Sequence, residues 1–390
     1  MWIAREIEPL VLRRASERPV VVITGARQTG KTSLVQHLFV DREFVSLDLP
    51  SEAEQAERDP RGFLSRHPPP LVIDEAQYAP GLFRHLKVAV DRDRGNNGQF
   101  VLTGSQKLTL MRGTAESLAG RADVLELEGL SLHEIRAAGL SCTADRVMLR
   151  GGFPELYQKP DLDADGFYRS YVATYLERDL RQLLDVGSLR TYERFLRACA
   201  LRTSGLLNKA DLSRDVGISG STSGQWLSVL EASNQVVLLE PWFSNRGKAL
   251  IKTPKLFLGD SGLAAFLMGG VSEAEIAASP LRGALWETFV FSELRRRMLA
   301  RRGRWQLSLW RDRSKEVDFL FHRAGRFDLA DAKWTEQPDA RDASVMLRVR
   351  AELPPNSVRR MALVCRTPNP YPVTPEVEAL PIDGVEAFVT

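Results

Sequence analysis

Three short apolar runs, Val20-Val21-Val22-Ile23, Leu71-Val72-Ile73 and Phe100-Val101-Leu102, punctuate the first third of the chain, and each stops abruptly at polar residues. Unbroken apolar runs of this length fit strands buried on both faces. Strand and helix patterns alternate from Val20 to about Glu128. That alternation predicts an α/β core, a parallel sheet with helices on both sides. The pattern breaks at Gly151-Gly152-Phe153-Pro154, after which Phe167, Tyr171, Tyr175, Leu176 and Leu180 recur at helical spacing and predict a small helical lid over residues 165–184.

Residues 208–231 then read as a helix, a Gly-containing turn and a second helix, which is helix-turn-helix spacing. The runs 236–241 and 255–258, separated by polar Ser244-Asn245-Arg246-Gly247-Lys248, predict the two strands of a wing. An amphipathic helix over 284–298 and two further apolar strands follow. The chain therefore divides into a core at 1–145, a helical lid at 146–187, a winged helix at 188–272 and a C-terminal α/β domain at 273–390. A winged helix lays its second helix in the major groove of duplex DNA, or serves as a protein-packing module. Ser219, Ser221, Thr222, Ser223 and Gln225 are the candidates for bases or phosphates, and Arg246, Lys248 and Lys252 for the DNA backbone.

Composition narrows the class without changing this outline. At 44% hydrophobic and 26% charged residues the chain has the make-up of a globular protein, and 390 residues predict two to four domains. No apolar run approaches the length needed to cross a bilayer, and residues 1–19 carry Glu6, Glu8 and Glu17 inside an amphipathic pattern, unlike a secretory signal. The expected location is the cytoplasm, with no membrane partner. Cys142, Cys199 and Cys365 are isolated and show no CxxC spacing, which argues against a disulfide framework or a zinc site. Eight arginines fall between Arg295 and Arg313, enough to hold phosphates; yet 43 of the 53 cationic residues are Arg, so the cluster also fits a general preference for arginine.

The chemistry begins where the first run ends. Gly25-Ala26-Arg27-Gln28-Thr29-Gly30-Lys31-Thr32 is a complete GxxxxGK[ST] phosphate loop behind a strand, with Ser33 at the start of a helix. Glycines let backbone N–H groups approach the phosphates of a nucleoside triphosphate, Lys31 neutralises the β- and γ-phosphates, and Thr32 offers its hydroxyl to Mg²⁺. The second run ends in Asp74 and Glu75. Asp74 is the expected magnesium partner, through water, and Glu75 the general base that polarises an attacking water. The third run ends in Ser105 and Gln106, placed either to sense the γ-phosphate or to cap the next helix.

A second constellation lies near the C-terminus: Glu287 on a helix, Asp318 in Glu316-Val317-Asp318-Phe319, and Asp331-Ala332-Lys333 on the next strand. Two-residue alternation brings these carboxylates to one side of a sheet, where they could share a divalent ion while Lys333 orients a water. Solvated strand carboxylates are the plainer reading.

With these residues in hand, the chain resembles the prokaryotic AAA+-type ATPases that carry a C-terminal domain of uncharacterised function. The resemblance rests on the phosphate loop, Ile73-Asp-Glu-Ala-Gln, Leu102-Thr-Gly-Ser, Ser117-Leu-Ala-Gly-Arg121, Gly151-Gly-Phe-Pro-Glu155, Glu177-Arg-Asp179, Leu258-Gly-Asp-Ser-Gly-Leu263, Glu287-Thr-Phe-Val290 and Glu316-Val-Asp-Phe319. It implies a winged-helix-containing tail and a terminal domain similar to PD-(D/E)xK nucleases, with Asp331 standing where the family more often has glutamate. It also implies a homo-oligomer whose sites borrow an arginine from the neighbour. Arg121 is the candidate, Arg112 competes with it, and Arg178 is an alternative in cis. The leading expectation is an ATP-hydrolysing switch or motor acting on double-stranded DNA. An ATP-gated metal-dependent nuclease and an ATP-dependent protein clamp are the alternatives.

Overall fold

The computed structural model describes residues 1–105, 107–176, 189–243, 253–270, 272–303, 305–312 and 315–388. Five strands form the N-terminal sheet: β1 (Val20–Thr24), β2 (Glu43–Ser46), β3 (Leu71–Asp74), β4 (Phe100–Gly104) and β5 (Ala122–Glu126), in the order β2-β3-β4-β1-β5. All pairings in it are parallel, as the alternating pattern predicts. Each apolar run serves both faces because successive side chains point to opposite sides. Val20, Val22, Leu71, Ile73, Phe100 and Leu102 pack with Leu82, Phe83 and Leu86 of the helix Leu82–Arg92. Val21, Ile23, Val72 and Val101 pack with Leu10 and Val11 of the helix Glu8–Glu17 and with Leu34 and Val35 of the helix Lys31–Leu38. A sheet covered on both sides leaves its strand ends for polar chemistry, and the C-terminal ends of β1, β3 and β4 lie side by side.

The short helices Ala144–Arg150, Pro154–Gln158 and Ala164–Tyr171 stand where the lid was expected, knitted together by Phe153, Phe167, Tyr168 and Tyr171. Residues 177–188, with Arg178 and Leu180, lie outside the described residues. Next come the helix Leu189–Ala200, β6 (Gly205–Leu206), the helices Lys209–Val216 and Gly220–Ala232, β7 (Val236–Leu239) and β8 (Lys255–Leu258). The three strands form an antiparallel sheet of order β6-β8-β7. Gly217, at φ 77°, makes the left-handed turn between the paired helices, and the Asn208 and Ser219 side chains cap their N-termini. Residues 244–252, with Arg246, Lys248 and Lys252, also lie outside the described residues.

The helix Arg282–Arg301 extends the predicted 284–298 at both ends and buries Leu285, Trp286, Phe289, Val290, Phe291 and Leu294. Behind it stands a six-stranded sheet of order β13-β14-β12-β11-β10-β9, built from β9 (Gln306–Asp312), β10 (Lys315–Arg323), β11 (Arg326–Ala332), β12 (Val358–Val364), β13 (Tyr371–Thr374) and β14 (Val377–Leu380). The first three strands are antiparallel, and β12 runs parallel to both β11 and β14. The far end of the helix reaches the N-terminal core, where Ala300 joins the cluster under β1. Among the described residues no helix is long and apolar enough to cross a membrane.

Candidate functional site

The loop after β1 needs its glycines for steric reasons. Gly25 has φ 150°, and a Cβ there would stand 2.0 Å from the carbonyl oxygen of Leu127; Gly30 has φ 91°. Thr29 pins the loop by donating to the Ala26 carbonyl at 3.0 Å. Lys31 is the first residue of its helix, and its buried ammonium donates to the carbonyls of Gly25 at 3.1 Å and Ala26 at 2.8 Å. The helix N-terminus therefore aims its backbone N–H groups and Lys31 at one spot, the arrangement that receives a phosphate.

Asp74 ends β3 beside it. The Thr32 hydroxyl donates to Asp74 Oδ1 at 2.9 Å, Thr103 donates to the same oxygen at 2.5 Å and Ser46 to Oδ2 at 3.3 Å. Burial pushes the Asp74 carboxyl above its ordinary value, against the hydrogen bonds from Thr103 and Thr32, which lower it. A buried carboxylate paired with a threonine hydroxyl is a donor set for a hydrated Mg²⁺, whose charge would offset that cost. Glu75 takes a left-handed backbone, φ 54°, which turns its side chain out of the strand line. Its Oε2 accepts from Ser105 Oγ at 3.0 Å and from the Gln77 amide, while its own N–H donates to Thr103. Ser105 thus touches the expected general base, and Gln106 lies outside the described residues.

A cavity of about 310 Å³ opens over these groups, lined by Gln28, Gly30, Lys31, Thr32, Ser33 and Glu75 and also by Trp2, Ile3, Leu130 and Pro154. Its polar lining residues suit a triphosphate and its apolar ones a base. Arg5 frames it, donating to the Thr29 carbonyl at 3.0 Å and to the Glu128 carbonyl at 2.7 Å and pairing with Glu134 at 3.2 Å. The sequence assigned no role to Arg5, Ser46, Gln77 or Thr103, although Gln77 and Thr103 stand inside the motifs Ile73-Asp-Glu-Ala-Gln and Leu102-Thr-Gly-Ser.

Arg121 stands elsewhere. It immediately precedes β5, and its carbonyl accepts from the Val20 N–H at the start of β1, so it lies at the sheet edge opposite the phosphate loop. Its guanidinium holds Asp91 at 2.8 and 2.9 Å. The side chain of Arg112 lies outside the described residues. The arginine cluster also departs from a phosphate surface: Arg295 pairs with Glu126 and Glu128, Arg296 with Glu293 and Asp260, Arg297 with Glu6 and Glu386, Arg302 with Asp123 and Arg311 with Glu316. Acidic strand ends and the chain's own carboxylates use these cations internally; Arg304 and Arg313 lie outside the described residues. Ser223, expected on a nucleic-acid face, is fully buried, because it occupies the inward side of its helix.

In the C-terminal constellation Glu287, Asp318 and Asp331 do come together, but around a residue the sequence did not single out. Lys255 Nζ lies 2.5 Å from Glu287 Oε1, 2.7 Å from Glu316 Oε1 and 2.8 Å from Asp318 Oδ1. Asp331 accepts from the Asp318 N–H at 2.9 Å, and Lys333 stands 3.8 Å from its other oxygen. Burial, with the Asp318 charge adding to it, pushes the Asp331 carboxyl up to about 7. Among the described residues no group of three or more His, Cys, Asp or Glu side chains is arranged to hold a metal ion.

Comparison with known proteins agrees with the N-terminal geometry. A family described as AAA domain matches residues 17–136, and two domains of unknown function, DUF8612 and DUF4143, match 143–274 and 282–384. Among solved structures, the Walker-type ATPase PABY2304 of Pyrococcus abyssi is 19% identical, with 68% of this chain and 96% of that chain covered at a TM-score of 0.46. A RuvB variant of Thermotoga maritima is 17% identical over 59% of this chain and 86% of its own, at a TM-score of 0.29. Two uncharacterized proteins, Rv2008c of Mycobacterium tuberculosis and Mb2031c of Mycobacterium bovis, are each 32% identical over 99% of this chain and 85% of their own length. The chain belongs to the family of these two mycobacterial proteins, and its N-terminal part is an AAA-type P-loop ATPase domain.

Proposed function

We propose that this protein is a Mg²⁺-dependent AAA-type ATPase that works as a switch, with ATP at the loop Gly25–Thr32, Mg²⁺ at Thr32 and Asp74, and Glu75 as general base. The observation that carries the reading is the direct bond from Thr32 to Asp74 beside Lys31, with Glu75 one residue on and held by Ser105. A division into ATPase core, helical lid, winged helix and nuclease-like domain goes with it. The order helix, strand, two helices and a strand pair supports the winged helix, and antiparallel β9 to β11 followed by parallel β12 supports the nuclease-like sheet.

Duplex DNA is the partner that a winged helix favours, with Ser219, Ser221 and Gln225 exposed at the start of its second helix. One observation favours a protein partner instead: the exposed positions Ser221, Gln225 and Ser228 of that helix bear no positive charge. One experiment tests both halves. ATP hydrolysis is expected to need Mg²⁺ and to vanish with a chelator, and added duplex DNA is expected to change the rate at low salt and lose its effect as salt rises. Hydrolysis that persists in chelator would remove the metal assignment, and a rate indifferent to DNA at all salt concentrations would leave the protein partner.

A homo-oligomer goes with this reading. At the edge away from its own loop Arg121 would serve a neighbour's γ-phosphate, after leaving the partly exposed Asp91, an exchange that costs little. Subunits carrying Arg121→Ala and subunits carrying Lys31→Ala each lack a different half of such a shared site. Each is expected to be inactive alone and to recover part of the wild-type rate when mixed. A co-assembled mixture that stays inactive would exclude action in trans.

A further inference from the structure

The carboxylate cluster of the C-terminal domain has its cation built in. We propose that Lys255 is the resident cation of this nuclease-like site, that its ammonium takes the position a divalent ion shared by Glu287 and Asp318 would need, and that the domain is therefore a metal-free brace and not a nuclease. The inference goes beyond the ATPase reading and does not depend on it.

The fit is to an ammonium. Lys255 has three N–H donors, and three carboxylate oxygens from Glu287, Glu316 and Asp318 stand at 2.5, 2.7 and 2.8 Å, one for each. Charge-assisted N–H bonds run at about 2.7–2.9 Å, whereas Mg²⁺ demands about 2.0–2.1 Å and a near-octahedral shell. Two further oxygens of the cluster are engaged by backbone. Asp318 Oδ2 accepts from the Ala332 N–H at 3.1 Å, and Asp331 Oδ1 from the Asp318 N–H at 2.9 Å. A divalent ion would have to evict the lysine head and break these backbone contacts.

The lysine is also held in place from behind. Lys255 begins the middle strand of its sheet, in register with Leu206 on one side and Leu239 on the other, and its side chain is 3% exposed. Two residues along the same face of β8, Phe257 stacks on Phe291 with centroids 4.1 Å apart and planes at 14°. Phe291 is one helical turn beyond Glu287, so strand and helix meet twice, through a charge pair and through a ring pair, at matching spacing. A register slip that withdrew the lysine would break both contacts. The arrangement therefore joins β8 to the helix Arg282–Arg301 and to β10 as one piece, with the charge of the acidic cluster offset from within.

The test is Mn²⁺ binding to the full-length chain without nucleotide, followed by electron paramagnetic resonance, in a Thr32→Ala background that removes the hydroxyl offered to metal at the phosphate loop. With Lys255 present, no Mn²⁺ binding that depends on Asp318 is expected. Lys255→Met is expected to create one new site, at least tenfold tighter than any binding in the parent, that disappears when Asp318→Asn is added. Mn²⁺ bound in the parent chain and lost with Asp318→Asn would overturn the proposal, and so would Mn²⁺-dependent nicking of plasmid DNA abolished by Asp318→Asn. A folded Lys255→Met chain that gains no site would overturn it as well. Should that variant fail to fold, the parent chain and its Asp318→Asn partner still decide, since metal binding that differs between them cannot coexist with a resident lysine.

Discussion

Glu75→Gln is expected to keep ATP bound while turnover falls by about 10²–10⁴-fold, the usual contribution of a positioned general base. Lys31→Ala is expected to lose binding itself. The two differ because the side chains do different work. Lys31 sits at the first helical position with its ammonium buried in the loop, where it would offset phosphate charge in ground state and transition state alike. Glu75 projects from a left-handed turn after β3, past the Asp74 carboxylate, with one oxygen held by Ser105 and the Gln77 amide. Glutamine matches its size and removes only its basicity. Fluorescent-nucleotide binding and phosphate release, measured on both variants, separate the roles. A Glu75→Gln enzyme that hydrolyses ATP at the wild-type rate would falsify the base assignment, and a Lys31→Ala chain that binds ATP unchanged would mean that the phosphates do not lie on this loop.

The parts of this site legible in the sequence are those governed by local rules. A glycine that must pass within reach of Leu127, a lysine at a helix start and two acids at a strand end are fixed by backbone geometry, and the pattern carries them. The double covering of the first sheet was legible for the same reason, since unbroken apolar runs have no wet side. Tertiary pairings were not. Nothing in the Arg295 to Arg302 stretch announces that Glu126, Glu128 and Asp123 face it across the fold, so a run of like charges read as a possible phosphate surface is a set of internal ion pairs. Lys255 was invisible for a related reason. It opens an ordinary apolar strand, and only the approach of a helix 32 positions later and a strand beyond it gives its charge a purpose. Two-residue spacing did bring Asp318 toward Asp331; what it could not supply was the cation already standing there.

Asp260→Ala is expected to cost about 3–5 kcal/mol, the penalty for removing one member of a buried charge pair and leaving its partners unsatisfied. Four separate segments converge on this one buried carboxylate. Oδ2 accepts from the Gly152 N–H at 2.7 Å and from Arg296 at 3.2 Å, and Oδ1 from the Tyr168 hydroxyl at 2.8 Å and the Leu263 N–H at 3.0 Å. Gly151 beside it must be glycine, because a Cβ would stand 2.0 Å from the Tyr168 oxygen and 2.2 Å from Oδ1. Asp260→Asn keeps one acceptor but turns N–H groups toward donors, so it is expected to fall between the alanine variant and the parent. Arg296 retains Glu293 in both, which keeps its own charge partly paired. The measurement is the midpoint of denaturant unfolding at unchanged slope, set against Asp165→Ala, whose exposed pair with Arg169 is expected to barely move it. Because Arg296 lies one position from Arg295, which holds Glu126 and Glu128 behind the phosphate loop, the same carboxylate braces the helix that joins the ATPase core to the C-terminal sheet. An Asp260→Ala chain with wild-type unfolding would show that this junction is held by its apolar contacts alone.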